Sequence, residues 1–274
     1  MSVVVGVNDK SQQIYVSAVK AYQQNNITEA YRLLNKFKLD LKISDLTNKD
    51  SDSAMLEAIV TYKYGLLQKD RDIISRALTL TENFLTKYVE IPKQLALNAR
   101  ILVAECLFIL GRYREAYDVN LNIIELDKEN TKKAVRLKLM IVMTELNKYE
   151  DCHNLSKVVL EWPEFEIQAR FILLEMYKKQ LNKNLILEQV SALKDKFGNL
   201  SLSDRRAFII FIIDNLSDYD LVEELILKAR KLERNHQAYH GFYTIVKYHQ
   251  GQYQQIINEL SPSIAKWPDP SNQL

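Results

Sequence analysis

A short segment that returns at a near-constant interval constrains this chain more than any other feature of it. Residues 111–130 read GRYREAYDVNLNIIELDKEN and follow the apolar run LNARILVAECLFIL. The same frame returns as NKYEDC around Tyr149, SDYDLV around Tyr219 and GQYQQI around Tyr253. From Tyr113 onward these tyrosines stand 36, 70 and 34 residues apart. The middle interval is two repeats of 35, and the copy between is NKNLIL, which lacks the tyrosine but keeps the apolar periodicity. Near the N-terminus, YVSAVKAYQQNNITEAYRLLNKF is a further copy, with Ala18, Ala30 and Phe37 at the small and aromatic packing positions. Residues 54–92 hold two more amphipathic helices of similar length. A period in this range marks an array of small supersecondary units. Each predicted helix carries apolar residues at i, i+3, i+4 and i+7, and a short polar turn joins it to the next. A helix pair of this kind cannot bury both of its faces alone, so it must stack on its neighbours.

The remaining properties agree with an array. The 274 residues exceed the usual size of one compact domain, yet no linker divides them. One elongated α-helical domain over residues 1–274 is therefore expected. Only 6 glycines and 5 prolines interrupt the chain, so turn formers are scarce and helix is expected throughout. The formal net charge of +2 provides no broad field for nucleic acid or an anionic membrane surface. Cys106 and Cys152 lie in different predicted helices and fit neither a metal site nor a disulfide framework. The opening MSVVVGVNDKSQQ is too weak for a signal peptide, and no segment reaches the length of an apolar membrane span. A soluble cytoplasmic protein, not inserted in a membrane, is the expectation.

The segment after Gly111, with Tyr113, Ala116 and the ELD of Glu125 to Asp127, resembles the second half of a tetratricopeptide repeat. The resemblance covers nearly the whole chain as about seven degenerate copies. It implies an all-α fold, an α-solenoid in which antiparallel helix pairs wind into a right-handed superhelix. Gly111 and Gly251 would end first helices in the left-handed conformation, with Asn25, Asn147 and Asn182 near the equivalent turns. Ala18, Ala104 and Ala116 would let paired helices approach, with Tyr113 and its equivalents filling the wedge between them. Pro163 and Pro268 would stop second helices. The polar stretch SDLTNKDSDS, residues 44–53, reads as an exposed loop. The C-terminal KWPDPSNQL leaves two readings open: Trp267 covers the last pair, or the chain continues in a longer protein.

No catalytic constellation is present: no glycine-rich phosphate loop, nucleophile elbow or zinc-binding HExxH. His236 and His240 share a helical face, but no third ligand accompanies them, so no metal and no cofactor is expected. Cys152, between Asp151 and His153, takes the small-residue position that Ala116 holds in the preceding copy, so it should be buried and inert. The window FIIFII, Phe208 to Ile213, reads first as a helix buried on most sides and second as a helix whose extra apolar face lines a binding surface. Lys228, Arg230, Lys231 and Arg234 follow Asp218, Asp220, Glu223 and Glu224, the order that suits one helix macrodipole.

In tetratricopeptide proteins the first helices line a concave groove. By register the resemblance places Tyr15, Val19 and Tyr22 there from the first repeat, and Ile101, Glu105 and Phe108 from the third. Leu137 and Ile141 follow from the fourth, Ala207, Phe211 and Asp214 from the sixth, and Gly241, Ile245 and His249 from the seventh. With Tyr15 and Val19 leading, this groove lacks the basic residues of a carboxylate clamp. It suits a helical or extended apolar segment of a partner protein, held in the groove or docked at the C-terminal end. The chain thus reads as a scaffold or adaptor in a multiprotein complex and not as an enzyme. Two alternatives are a helical-repeat RNA-binding protein, which the near-neutral charge disfavours, and a regulatory solenoid controlling an enzyme.

Overall fold

The computed structural model describes residues 9–40, 51–88, 90–126, 133–232 and 239–264. Its regular structure is helical throughout the described residues. By packing, the chain divides into two compact units, Met1–Phe165 and Glu166–Leu274. The first unit stacks four helix pairs: α1 (Asp9–Gln23) with α2 (Ile27–Asp40), α3 (Ser51–Gln68) with α4 (Arg71–Lys87), α5 (Lys93–Ile109) with α6 (Tyr113–Leu126), and α7 (Lys133–Glu145) with α8 (Tyr149–Val159). The second stacks three: α9 (Glu166–Lys179) with α10 (Lys183–Asp195), α11 (Leu202–Leu216) with α12 (Tyr219–Leu232), and α13 (His240–His249) with α14 (Tyr253–Ile264).

Each pair is closed by the same turn. One residue with positive φ stands two positions before every second helix: Asn25, Lys69, Gly111, Asn147, Leu181, Ser217 and Gly251. At six of these turns the next residue donates its N–H five positions back, as Asn26 does to Ala21 at 2.9 Å and Arg112 to Leu107 at 2.9 Å. This is the Schellman arrangement, which pairs carbonyls that the helix end leaves open. At the sixth pair Ser217 itself donates to Ile212, at 3.0 Å.

Stop and start signals compensate one another across these turns. Where the left-handed residue is a poor one, the next residue is a strong N-cap. Asp70 accepts from the amides of Asp72 and Ile73, Asn182 from that of Leu185, and Asp218 from that of Leu221. After Gly111, Asn147 and Gly251 come Arg112, Lys148 and Gln252, which are weak caps. The turn expected at Asn182 is thus built differently: Leu181 takes the left-handed position, at φ 55°, and Asn182 caps the following helix. A side chain with a Cβ is strained there by about 1–2 kcal/mol, and Leu181 is 88% exposed and gains nothing from packing. Leu181→Gly is expected to stabilise the protein by about 0.5–1 kcal/mol after its unfolded-state entropy is subtracted. An unchanged or lower urea midpoint would show that the turn carries no such strain.

Small residues meet at the pair interfaces as expected. Ala18 and Ala30 are fully buried, as are Ala116 and Cys152, and Ala104 is nearly so. Gly65 has the same role in α3, where an added Cβ would lie 2.7 Å from Cδ1 of Ile74. The Cys152 thiol donates to the Met140 carbonyl at 3.5 Å, and burial pushes it above its usual range despite a contact with Thr144. It is a packing group. Within FIIFII, Phe208, Ile209, Phe211 and Ile212 are buried, while Ile210 is exposed on one face of α11 with Ser203, Arg206, Ala207 and Asp214, so the helix is buried on one side and open on the other. The loop expected over 44–53 ends early, because Ser51 to Ser53 already belong to α3 and Ser53 is buried; residues 44–50 lie outside the described residues. Pro163 lies in the turn between α8 and α9, whereas Trp267 and Pro268 are outside the described residues.

Candidate partner-binding site

In the first unit, α3, α5 and α7 are the first helices of consecutive pairs, and their side chains enclose a cavity of about 230 Å³. Tyr62 of α3, Ala104, Glu105, Phe108 and Ile109 of α5, and Lys138, Ile141 and Val142 of α7 line it. Asn120 of α6 is the one lining residue from a second helix. Phe108 is held from behind by Tyr113, whose ring is 5.5 Å away, so the wedge tyrosine of the turn supports a wall of the cavity.

The polar groups are arranged around Glu105. Lys138 Nζ donates to its carboxylate from α7. On the α3 side, burial raises the Tyr62 hydroxyl far above its ordinary range, helped by the charge of Glu105 and a hydrogen bond to it. Tyr62 therefore remains a neutral donor at any physiological pH. Next to the cavity, burial and the charges of Glu105 and Glu82 push the Cys106 thiol up to about 12, so it holds no reactive thiolate. The site offers apolar walls and a charge-balanced polar edge, with no nucleophile or acid–base pair poised for chemistry.

Of the groove residues expected from register, Glu105, Phe108 and Ile141 come together in this cavity. Ile101 packs instead with Leu97, Ala104, Ile123 and Val135 in the interhelix core, and Leu137 is half-buried outside the cavity lining. In α1, Tyr15 and Tyr22 flank the alanine cluster of the first pair. Tyr15 lies 5.5 Å from the Phe37 ring, and Tyr22 receives Lys63 Nζ 4.9 Å from its ring centre, while Val19 is half-buried. In the second unit Phe211 is 6% exposed and belongs to the core, so it offers no surface for contact. Ala207, Asp214, Gly241 and Ile245 are exposed, and His249 stacks on Tyr219 with ring centres 4.2 Å apart.

Reasoning from register missed Tyr62, Lys138 and Asn120. Lys138 is one residue from the position chosen in α7. Asn120 had a readable signal: it is the polar member of the stripe Ala116, Asn120 and Ile123, all buried along one face of α6. Sequence reading also missed Lys247, which is 3% exposed and bonded to Glu223, Gln250 and Gln252. Of the paired histidines, His236 is outside the described residues, and His240 has Nδ1 3.0 Å from the Glu259 carboxylate, which also receives Arg230. Among the described residues no group of three His, Cys, Asp or Glu could hold a metal ion. No helix of these residues is long and apolar enough to cross a membrane.

A tetratricopeptide-repeat protein from Parabacteroides merdae superposes with a TM-score of 0.58 over 97% of this chain and 96% of its own, at 10% identity. This chain has the tetratricopeptide-repeat fold. The tetratricopeptide-like architecture also aligns with the apo form of RapI, at a TM-score of 0.56 and 16% identity over 93% of this chain and 74% of that one. MamA aligns at 0.51 and 13% identity, over 66% of this chain and 93% of its own. No protein-family model matches the sequence, and no curated protein sequence matches it either. At such identities the likeness is one of fold, so the tetratricopeptide-like framework says how the site is built and leaves its use to the site itself.

Proposed function

We propose that this protein is a non-enzymatic interaction adaptor whose first unit receives an apolar anchor side chain from a helical or extended segment of another protein. The observation that carries this reading is the cavity formed by three successive first helices, with Phe108, Ile109, Ile141 and Val142 as walls. At about 230 Å³ it is smaller than the roughly 300–1,000 Å³ of a drug-sized ligand site. It matches one bulky side chain, the unit in which protein interfaces concentrate their binding energy. The ion pair of Lys138 and Glu105 stands beside it as a polar edge. Of the residues that line it only Lys138 is basic, whereas single-stranded RNA would need a basic stripe with stacking aromatics.

Selection of displayed short random peptides against the full chain tests the proposal. Enriched peptides should share a bulky apolar or aromatic position. Ile141→Glu, which places a charge on the cavity wall, should weaken them by about 2 kcal/mol, some thirtyfold. Failure to enrich any motif, or equal binding by a folded Ile141→Glu variant, would remove the cavity from the function.

A further inference from the structure

One polar group of the cavity is unexplained by its walls. Asn120 is 3% exposed and lines the cavity. Its Nδ2 donates one turn back to the Ala116 carbonyl, at 2.7 Å. That bond orients the amide, and Oδ1, which receives no donor among the described residues and is not one of their fully buried unpartnered atoms, keeps its contact with solvent. The other polar groups at the site, Glu105, Lys138 and Tyr62, are matched to one another. An amide oxygen that faces a cavity is hydrated there until an occupant covers it, and from then on it needs a donor, while the position needs no polar residue for packing, since Ala116 and Ile123 continue the same stripe.

We infer that the cavity selects an aromatic side chain that carries a hydrogen-bond donor, tyrosine or tryptophan, with its ring against Phe108 and Ile141 and its O–H or N–H donated to Asn120 Oδ1. This rests on the proposed role of the cavity as a partner's anchor point. A phenylalanine or leucine in the same place would exclude water from Asn120 and leave its oxygen unpaired, which a site built around a polar group penalises. A charged anchor would have to lose its hydration where Lys138 and Glu105 already neutralise each other, so nothing offsets its burial. Tyrosine and tryptophan combine an apolar body with one polar tip, which is the combination the lining offers.

The test compares side-chain analogues on the intact protein. Para-cresol, indole and toluene are titrated while the methyl signals of Ile109 and Ile141 are followed by NMR. Cresol and indole should bind about tenfold more tightly than toluene, and Asn120→Leu should abolish that preference, with its fold verified by circular dichroism. Equal affinity of toluene for the wild type overturns the donor requirement while leaving the anchor cavity in place. If none of the three moves the Ile109 and Ile141 signals, the cavity is not an anchor site and both readings fall. Should Asn120→Leu not fold, the wild-type ranking of the three probes still decides.

Discussion

Truncation of Phe197 to alanine is expected to destabilise the unit Glu166–Leu274 by about 3–5 kcal/mol, the usual cost of deleting a fully buried aromatic ring. Phe197 is completely buried at the start of a single 3₁₀ turn, Phe197–Asn199, between α10 and α11. Its ring lies 6.3 Å from that of Phe208 and has Arg205 and Lys228 over it at 5.9 and 6.0 Å. Arg205 also donates to the Phe197 and Gly198 carbonyls, at 3.2 and 3.0 Å. One side chain therefore organises the junction between two consecutive pairs, and its loss leaves a void bordered by two cations. Urea unfolding followed by circular dichroism measures the change. Phe197→Leu should recover most of it because much of the volume is restored. A loss below about 1 kcal/mol for alanine would mean that the junction collapses around the gap.

Removal of the Glu223 carboxylate should cost about 3 kcal/mol in the same unit, because it abandons a buried cation. Lys247 of α13 is 3% exposed, and Glu223 of α12 is its only charged partner among the described residues. Gln250 and Gln252 supply neutral acceptors at 3.0 and 2.9 Å. The double replacement Glu223→Leu with Lys247→Met should be far milder than Glu223→Ala, since buried pairs are often replaceable by apolar residues. Equal losses for the single and double variants would show that the cost comes from packing.

The same carboxylate makes a pH prediction. Burial raises the Glu223 carboxyl, but hydrogen bonds from Lys247 and Gln250, with the charge of Lys247, outweigh it and hold the group below the usual carboxylate range. Glu166 behaves alike: burial raises it, and hydrogen bonds from Lys196 and Arg170 more than compensate. A carboxylate depressed on folding contributes stability that is complete above its unfolded value, about 4.3, and is lost as pH falls through the lower folded value. The unit holding Glu166 and Glu223 should therefore keep its melting temperature down to about pH 5 and lose it below about pH 4. Glu223→Gln, measured across the same pH series, should show a shallower acid loss than the wild type.

Much of the architecture is set by local chemistry and could be read directly. The helix pairs follow from apolar spacing, and Gly111, Gly251, Asn25 and Asn147 stand where the left-handed turn residue is needed. Leu181 was hidden because its residue type gives no sign of a left-handed turn; the sign lies in Asn182, the cap that follows. Glu105, Phe108 and Ile141, which the register of the resemblance places together, line one cavity, whereas Ile101, Leu137 and Phe211, placed by the same register, do not.

The sequence by itself determined the helix-pair repeat, the turns at Asn25, Gly111, Asn147 and Gly251 and the small residues at the pair interfaces, since each depends on residues within a few positions of one another. Only the tertiary structure decided which half-buried side chains share a cavity. Tyr62, Asn120 and Lys138 meet because three stacked pairs present α3, α6 and α7 to the same space, a matter of helix rotation and stacking distance. Burial of Lys247 against Glu223 and withdrawal of Phe211 into the core were decided in the same way. An amphipathic pattern specifies which face of a helix turns inward, while the neighbouring pair determines what that face meets.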